Sequence, residues 1–283
     1  MKIAVIIPAA GIGKRFNEGA DGGDGAVNKL EMPLAGKPVF LRAIELFQHH
    51  HDVHQVILAV NPQSIGEFKL KWGDKLGFMG VKIVAGGEKE RWETVQKALE
   101  VVDNVCTHVA VHDAARPLAS GEMIERVFTA CERHDAVIPG VAVNATLKKV
   151  EDAGDEVGGA DDVIADAILG GAGKVAVHVQ KVVETVDRRD VIEVQTPQVV
   201  AMGLMQKAYA LIREGKIDMS VVTDDASLVE ALGEDVYVVE GEATNLKITR
   251  AADAEIAEAL LEKREASQRV ELAKKRLFDD EED

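Results

Sequence analysis

Ile3-Ala4-Val5-Ile6-Ile7-Pro8-Ala9-Ala10-Gly11-Ile12-Gly13-Lys14-Arg15 sets a short apolar run directly before a glycine loop that ends on a cation. A run of this length, closed by a glycine turn, reads as a buried strand. Runs of the same kind recur at Gln55 to Val60, Val81 to Val84, His108 to His112 and Ala136 to Pro139. Segments of helical period lie between them. Val39, Phe40, Ala43, Ile44 and Phe47 share one face, Val95, Ala98 and Leu99 a second, and Met123, Ile124, Val127 and Cys131 a third. Strand and helix in alternation predict an α/β protein of three layers, with a mostly parallel sheet between helices.

The alternation fails between Asn144 and Val186, where β-prone stretches flank a Gly/Asp-rich centre, Asp152 to Gly173. This reads as a β-hairpin-like arm without a core of its own, and in a symmetric oligomer such an arm buries its apolar face on the partner subunit. A homodimer joined through the arm is expected. Helical patterns resume at Ala201 to Glu214 and Asp224 to Leu232, and Ala251 to Leu277 reads as a long charged helix. The expected division is a main domain over 1–143 and 187–262, the arm over 144–186, and a helical extension with an acidic tail over 263–283.

The 283 residues suffice for one large α/β domain with an appendage. The formal net charge of -16 opposes generic nucleic-acid binding, which asks for a basic face, so an anionic ligand must be held by a few placed cations. Part of that charge is the tail Asp279-Asp280-Glu281-Glu282-Asp283, read as solvated. Cys106 and Cys131 sit in apolar-patterned segments and read as buried thiols in a reducing compartment. The start of the chain carries no basic region or cleavage signature, and no apolar run is long enough to cross a bilayer, so a cytoplasmic protein is expected.

Glycines after the first strand let the backbone approach phosphates with its N–H groups pointing inward, and Arg15 adds a permanent planar cation. Gly11 and Gly13 imitate the start of a dinucleotide fingerprint, but its third glycine falls at Phe16, which excludes the dehydrogenase reading on spacing. On its own the loop is equally a structural turn. A Gly- and Asp-rich stretch, Asn17 to Val27, follows and leads to Asn28-Lys29-Leu30 and a helix that begins near Pro38.

Three further motifs follow in order: Gly86-Gly87-Glu88-Lys89-Glu90-Arg91-Trp92-Glu93-Thr94-Val95, then Val111-His112-Asp113-Ala114-Ala115-Arg116-Pro117, then Thr185-Val186-Asp187-Arg188. After them come Gln195-Thr196-Pro197-Gln198, Thr223-Asp224-Asp225-Ala226-Ser227 and Asn245-Leu246-Lys247-Ile248-Thr249. With the P-A-A-G-x-G-x-R loop and a lysine, this ordered set resembles the methylerythritol phosphate cytidylyltransferases over residues 1 to 260. The resemblance implies a Rossmann-like nucleotidyltransferase fold with a protruding β-arm. It also implies transfer of CMP from CTP to a sugar-alcohol phosphate, with Mg2+ as cofactor held mainly by substrate phosphates and Asp113 as a candidate protein ligand.

By the same resemblance, Arg15 and Lys29 serve the triphosphate and its transition state, and Lys247 lies beside the α-phosphate. Pro8, Ala9, Ala10, Gly11, Gly13, Gly86 and Ala114 line the nucleotide, with Thr94 near the cytosine edge and Gly87 and Arg91 keeping the loop's shape. Asp113 meets the polyol hydroxyls, Arg116 supports it, and Thr146, Arg188, Thr196 and Lys247 surround the acceptor. Arg188, at the return of the arm, is expected to reach a neighbouring subunit's site. The chain departs from the family pattern at the long connection Glu151 to Val182, at Ala145 where an aspartate is usual, at the insertion Asp21 to Gly25, and beyond Leu261.

His49-His50-His51 and His54 suggest a metal, but consecutive residues on a helix point apart, so no site is expected there. Trp72 and Trp92 read as packing residues. Two rival functions stand beside the main one: a ribitol phosphate or other polyol-phosphate cytidylyltransferase, and a non-catalytic nucleotide-binding regulator. The co-occurrence of Arg15, Lys29, Asp113 and Lys247 argues against the regulator.

Overall fold

A computed structural model describes residues 1–11, 30–158, 175–220 and 222–279. The chain forms two units, one of Met1–Val141 with Val194–Asp283 and one of Ala142–Glu193.

The first unit begins with β1 (Ile3–Ala9), a small hairpin of β2 (Pro33–Leu34) and β3 (Lys37–Pro38), and α1 (Val39–Glu45). Then come β4 (Val53–Val60), α2 (Ile65–Phe78), β5 (Val81–Ala85), α3 (Arg91–Leu99), β6 (His108–Val111), α4 (Gly121–Cys131) and β7 (Ala136–Ala142). The second unit holds β8 (Leu147–Gly158) and β9 (Val175–Val186). Next along the chain come β10 (Ile192–Val194), β11 (Gln198–Ala201), α5 (Met202–Arg213), α6 (Asp225–Glu230), β12 (Tyr237–Glu240) and α7 (Ala251–Asp279).

The main sheet runs β10-β7-β11-β6-β1-β4-β5, with β12 also against β7. β1 is parallel to β4 and to β6, β4 to β5, and β12 to β7, while β11 is antiparallel to β6 and β7. Chain order runs outward from β1 through β4 to β5 and then returns to β6 on the other side of β1. That reversal is a topological switch point, and open α/β sheets collect ligands there, outside the C-terminal strand ends.

Parity along β1 builds the three layers. Ile3, Val5 and Ile7 join one buried cluster with Phe40, Leu41 and Ile44 of α1 and Met123, Ile124, Val127 and Phe128 of α4. Ala4 and Ile6 face the other way, toward Val95 and Ala98 of α3, Met205, Ala208 and Tyr209 of α5, and Leu228 and Val229 of α6. A strand covered on both faces must be apolar throughout, which is why β1 reads as an unbroken run.

Two elements, α1 and β11, differ from the sequence reading. α1 ends at Glu45, and Phe47 follows in a turn, still fully buried. Val39 enters a third cluster with Leu34, Leu118, Ile248, Ala257 and Leu261, so this short helix is buried on more than one face. α7 runs unbroken past residue 262, and one turn later Arg264 still donates to Leu118 O (3.1 Å) and Ala119 O (3.4 Å). β11 was not foreseen; its four residues lie antiparallel between β6 and β7.

Cys106 and Cys131 are buried and free, and burial pushes both thiols up, Cys131 to about 12. No helix among the described residues is long and apolar enough to cross a membrane.

In the second unit β8 and β9 pair antiparallel from Leu147↔Val186 to Gly158↔Val175, with register shifts after Lys149 and Asp152. Val150, Val182 and Val183 are exposed on this ribbon. The centre of the expected arm, 159–174, lies outside the described residues.

Candidate active site

One wall of the site is built from backbone. The Gly86 N–H donates to Val60 O at 2.7 Å, carrying the β4–β5 pairing into the loop before α3. A Cβ on Gly86 would stand 2.8 Å from Ala10 Cβ and 2.8 Å from Thr94 Cγ2, and one on Gly87 would stand 2.4 Å from Glu93 Cβ. Neither position accepts a side chain without displacing the first turn of α3. Thr94 Oγ1 accepts the Gly87 N–H at 3.0 Å, and Asn61 Nδ2 donates to Ala10 O at 3.4 Å. A capping box between Glu90 and Glu93 anchors the helix itself. Such a wall, free of side chains, can read a flat base through main-chain groups. Pro8 and Ala9 lead into it at the end of β1, whereas a Cβ on the exposed Gly11 would meet nothing within 4 Å among the described residues.

The other wall carries charge. Asp113, just beyond β6, receives Lys247 Nζ at 2.8 Å from Oδ2, Arg91 Nε at 3.5 Å from Oδ1, and Arg116 Nε at 3.6 Å from Oδ2. Burial alone would push its carboxyl up, but Arg91, Lys247 and Arg116 outweigh burial and hold it well below the usual carboxylate range. Arg116 is fixed from behind, its Nη1 donating to Asn245 O at 2.7 Å and its Nη2 to Val194 O at 3.4 Å. Asn245 in turn donates to Thr196 O at 3.0 Å, and the Ile248 N–H to Ala115 O at 2.9 Å, which pins the loop presenting Lys247. Arg91 Nη1 also approaches Asp225 Oδ2 at 2.6 Å. Burial works against the Arg91 charge, yet Asp225 and Asp113 prevail and keep the guanidinium firmly protonated.

Behind Asp113 runs a buried hydrogen-bond chain. The Asp113 N–H donates to Thr196 Oγ1 (3.0 Å), which lies 3.2 Å from His112 Nδ1, and His112 Nε2 lies 2.9 Å from Arg116 O. A carbonyl only accepts, so Nε2 carries the proton, Nδ1 is the acceptor, and the Thr196 hydroxyl hydrogen points at His112. Burial, opposed by the Arg116 carbonyl bond, pulls the His112 pKa down to about 4 and keeps the ring neutral.

The structure therefore brings Ala9, Ala10, Gly86, Gly87 and Thr94 to one wall and Asp113, Arg91, Lys247 and Arg116 to the other, with Ala114 and Thr196 buried beside Asp113. Gly13, Arg15 and Lys29 lie outside the described residues. Thr146 and Arg188 belong to the second unit, where both are exposed and Arg188 donates to Asn144 O. Asp225 and His112 carry interactions to which the sequence reading gave no role. A signal for Asp225 existed: in Asp224-Asp225-Ala226-Ser227 the capping pattern accounts for Asp224 and leaves its neighbour unexplained.

Asp113 does not fit as a ligand of magnesium. Its two oxygens already face three cations, a setting that repels a divalent ion. Among the described residues the group spaced for a metal is His50, His51 and Asp52, whose ligand atoms lie within 4.8 Å of one another. The helical argument against it fails, because the helix ends at Glu45 and residues 46–52 are not helical. A different objection holds: the His50 and His51 rings stack, 4.8 Å apart and 17° from parallel, and in-plane lone pairs of stacked rings do not meet at one ion. This cluster precedes β4, at the sheet edge opposite the site. Trp72 and Trp92 pack as expected, Trp72 edge-on to Phe40 and Trp92 against the α5 side of the core.

A backbone wall free of side chains and a cluster of Arg91, Lys247 and Arg116 around one carboxylate, both at the switch point of a mostly parallel sheet, suit a nucleotidyltransferase. The sequence matches the family described as IspD: 2-C-methyl-D-erythritol 4-phosphate cytidylyltransferase over residues 3–163 and 159–263. A 2-C-methyl-D-erythritol 4-phosphate cytidylyltransferase of Rhodopirellula baltica is 35% identical over 270 residues, 92% of this chain and 94% of the relative. One of Dictyoglomus thermophilum is 34% identical over 265 residues, 93% of this chain and 98% of the relative. The crystal structure of the Thermus thermophilus enzyme of that name superposes with a TM-score of 0.65 at 29% identity, covering 92% of this chain and 98% of the other. The chain belongs to the 2-C-methyl-D-erythritol 4-phosphate cytidylyltransferase family.

Proposed function

We propose that this chain transfers CMP from CTP to 2-C-methyl-D-erythritol 4-phosphate, releasing pyrophosphate. The observation that carries the reading is Lys247 Nζ held 2.8 Å from Asp113, which fits a cation poised to pass to a phosphate. The acceptor phosphate, with a second pKa of about 6, is largely dianionic at neutral pH and needs no general base. One of its oxygens forms a bond to the α-phosphorus of CTP as the bond from that phosphorus to the β-phosphate bridging oxygen breaks. Catalysis is then mainly alignment of two anions and neutralisation of charge gathering on the α-phosphoryl oxygens.

Lys247 is assigned to that charge, leaving Asp113 for the α-phosphate. Arg91 and Arg116 stay with Asp113, whose carboxylate is then free to accept polyol hydroxyls. Ala10, Gly86 and Thr94 are assigned to cytosine, and Arg15 and Lys29 to the triphosphate. Thr146, Arg188 and Thr196 are assigned to the acceptor; the Thr196 hydroxyl hydrogen is committed to His112, so Thr196 acts by holding the Asp113 backbone. Magnesium is proposed as a counter-ion on the triphosphate oxygens, with no protein carboxylate among its assigned ligands. A homodimer through the β8–β9 ribbon is proposed on its exposed Val150, Val182 and Val183.

The test is pyrophosphate release by purified protein with CTP, comparing methylerythritol phosphate with ribitol phosphate and using Lys247→Ala as control. Turnover with the first acceptor, lost by about a hundredfold or more in the control, is expected. Preference for ribitol phosphate would reassign the acceptor, and silence with both would remove the enzyme reading.

A further inference from the structure

Asp225 is a carboxylate with 1% of its surface exposed, at the start of α6. An ionisable group is costly to bury, so what the Asp225 charge contacts bears on what it does. The helix does not need it. Asp224 caps α6, accepting the Ser227 N–H at 2.9 Å, while the Ser227 hydroxyl accepts the Asp224 N–H at 3.2 Å. Gln198 ties the same turn down, donating to Asp224 Oδ2 at 2.7 Å and accepting the Ala226 N–H at 2.9 Å. The Asp225 carboxylate takes part in none of these bonds. Its close partner is Arg91, at 2.6 Å.

Arg91 stands between two carboxylates, tight on Asp225 and looser on Asp113, whose other oxygen holds Lys247. The charges alternate in space as Asp225, Arg91, Asp113, Lys247. When Lys247 moves to a phosphate, Asp113 loses its nearest cation and its remaining compensation is Arg91 and Arg116. Arg116 is immobilised by the carbonyls of Asn245 and Val194, so Arg91 is the adjustable member. An arginine side chain with 32% exposure has room to turn to solvent or to fall wholly onto Asp113, and Asp225 prevents both.

We propose that Asp225, which does not meet substrate, is a positioning residue for the transfer: it holds the Arg91 guanidinium so that Asp113 stays compensated when Lys247 leaves it. The inference rests on the assignment of Lys247 and Asp113 to the transfer site. Burial dominates and leaves the Asp225 carboxyl above the ordinary carboxylate range, with the Arg91 guanidinium offsetting part of that rise.

A double-mutant cycle tests this with the full chain, CTP and methylerythritol phosphate. Asp225→Asn is expected to lower kcat about thirtyfold and to leave the KM for CTP within about twofold, because Asp225 faces Arg91 and not the nucleotide. In an Arg91→Gln background the same substitution is expected to change kcat by less than about twofold, since its only route of action is gone. An equal loss in both backgrounds, or a kcat loss that follows the folded fraction measured by circular dichroism, would overturn the proposal. If Asp225→Asn does not fold, Asp225→Glu keeps the charge and shifts the guanidinium by a methylene. It is expected to lose about fivefold in kcat with Arg91 present and nothing measurable with Arg91→Gln, and equal losses again overturn the proposal. Lys247→Ala separates the two levels. Full activity in that variant removes the site assignment itself, whereas an inactive Lys247→Ala beside a fully active Asp225→Asn removes only the role of Asp225.

Discussion

At the C-terminal edge of the sheet Asp113, with 12% of its side chain exposed, is packed among Arg91, Lys247 and Arg116, and Asp225 is buried behind them. At the N-terminal edge His51, 77% exposed, stacks on His50 and pairs with Asp52, and His50 leans on Glu125. Both edges are dense in titratable groups. Met1, His50 and Asp52 at the N-terminal edge are 7%, 12% and 16% exposed, about as enclosed as Asp113, but among the described residues the C-terminal edge alone holds a carboxylate as deep as Asp225, at 1%, where an ion pair is worth several times its surface value. A deeply buried carboxylate in a chain of alternating ion pairs, not the density of polar residues, sets the C-terminal edge apart.

Breaking the charged wall should give the largest effect. Asp113→Asn leaves three cations facing one another without their shared anion, and kcat/KM with methylerythritol phosphate is expected to fall by about two orders of magnitude. Steady-state pyrophosphate release checks it; a loss below about threefold would mean the carboxylate is not part of the site. The backbone wall comes next. Gly86→Ala forces a methyl to within 2.8 Å of both Ala10 Cβ and Thr94 Cγ2. The expected outcome is destabilisation of about 1–3 kcal/mol in urea unfolding together with a raised KM for CTP.

How far the sequence foretold this contrast depends on range. β1, β4, β5, β6 and β7 were legible because a doubly covered strand is a continuous apolar run, a purely local signal. β11 was not, because Gln198-Val199-Val200-Ala201 is short and gains its place only from β6 and β7, remote in sequence. The glycine wall was legible as motif, but the reason for each glycine is a distance to Ala10, Glu93 or Thr94 that no spacing displays. Asp113, Lys247 and Arg91 were named singly from the family resemblance. Their joining into one ion-pair chain, with Asp225 as its anchor, is a fact of tertiary structure. The His50 to Asp52 cluster misled in the opposite direction, since its turn geometry was mistaken for helix.

Acid should sharpen the comparison. His112 has its pKa lowered to about 4 from an ordinary 6.5, chiefly by burial, so the unfolded chain takes up a proton there at a higher pH than the folded one. The stability tied to the neutral ring is therefore complete above pH 6.5 and is lost as pH falls toward 4. Thermal melts at steps from neutral pH down to the His112 range are expected to show a declining midpoint. A His112→Phe variant, lacking the titrating ring, is expected to decline less steeply over the same interval while starting lower, because Thr196 and the Arg116 carbonyl lose their partner. Parallel curves would assign the acid sensitivity elsewhere.

The smallest effect belongs to the opposite edge. His51 makes its contacts from an exposed position, a 3.2 Å approach to Asp52 and a stack on His50. Asp52 keeps a second partner, the Met1 amine at 2.8 Å, and His50 keeps Glu125 at 2.9 Å. Nothing buried loses its compensation when the ring is removed. His51→Ala should therefore change stability by no more than about 0.5 kcal/mol and leave turnover unaltered. The same variant weighs the metal question independently of activity. If stacking denies a common ion to the two rings, added zinc will move the melting temperature of parent and variant alike. A zinc-dependent rise present in the parent and absent in His51→Ala would mean that the rings can unstack to bind, and that this edge carries a function of its own.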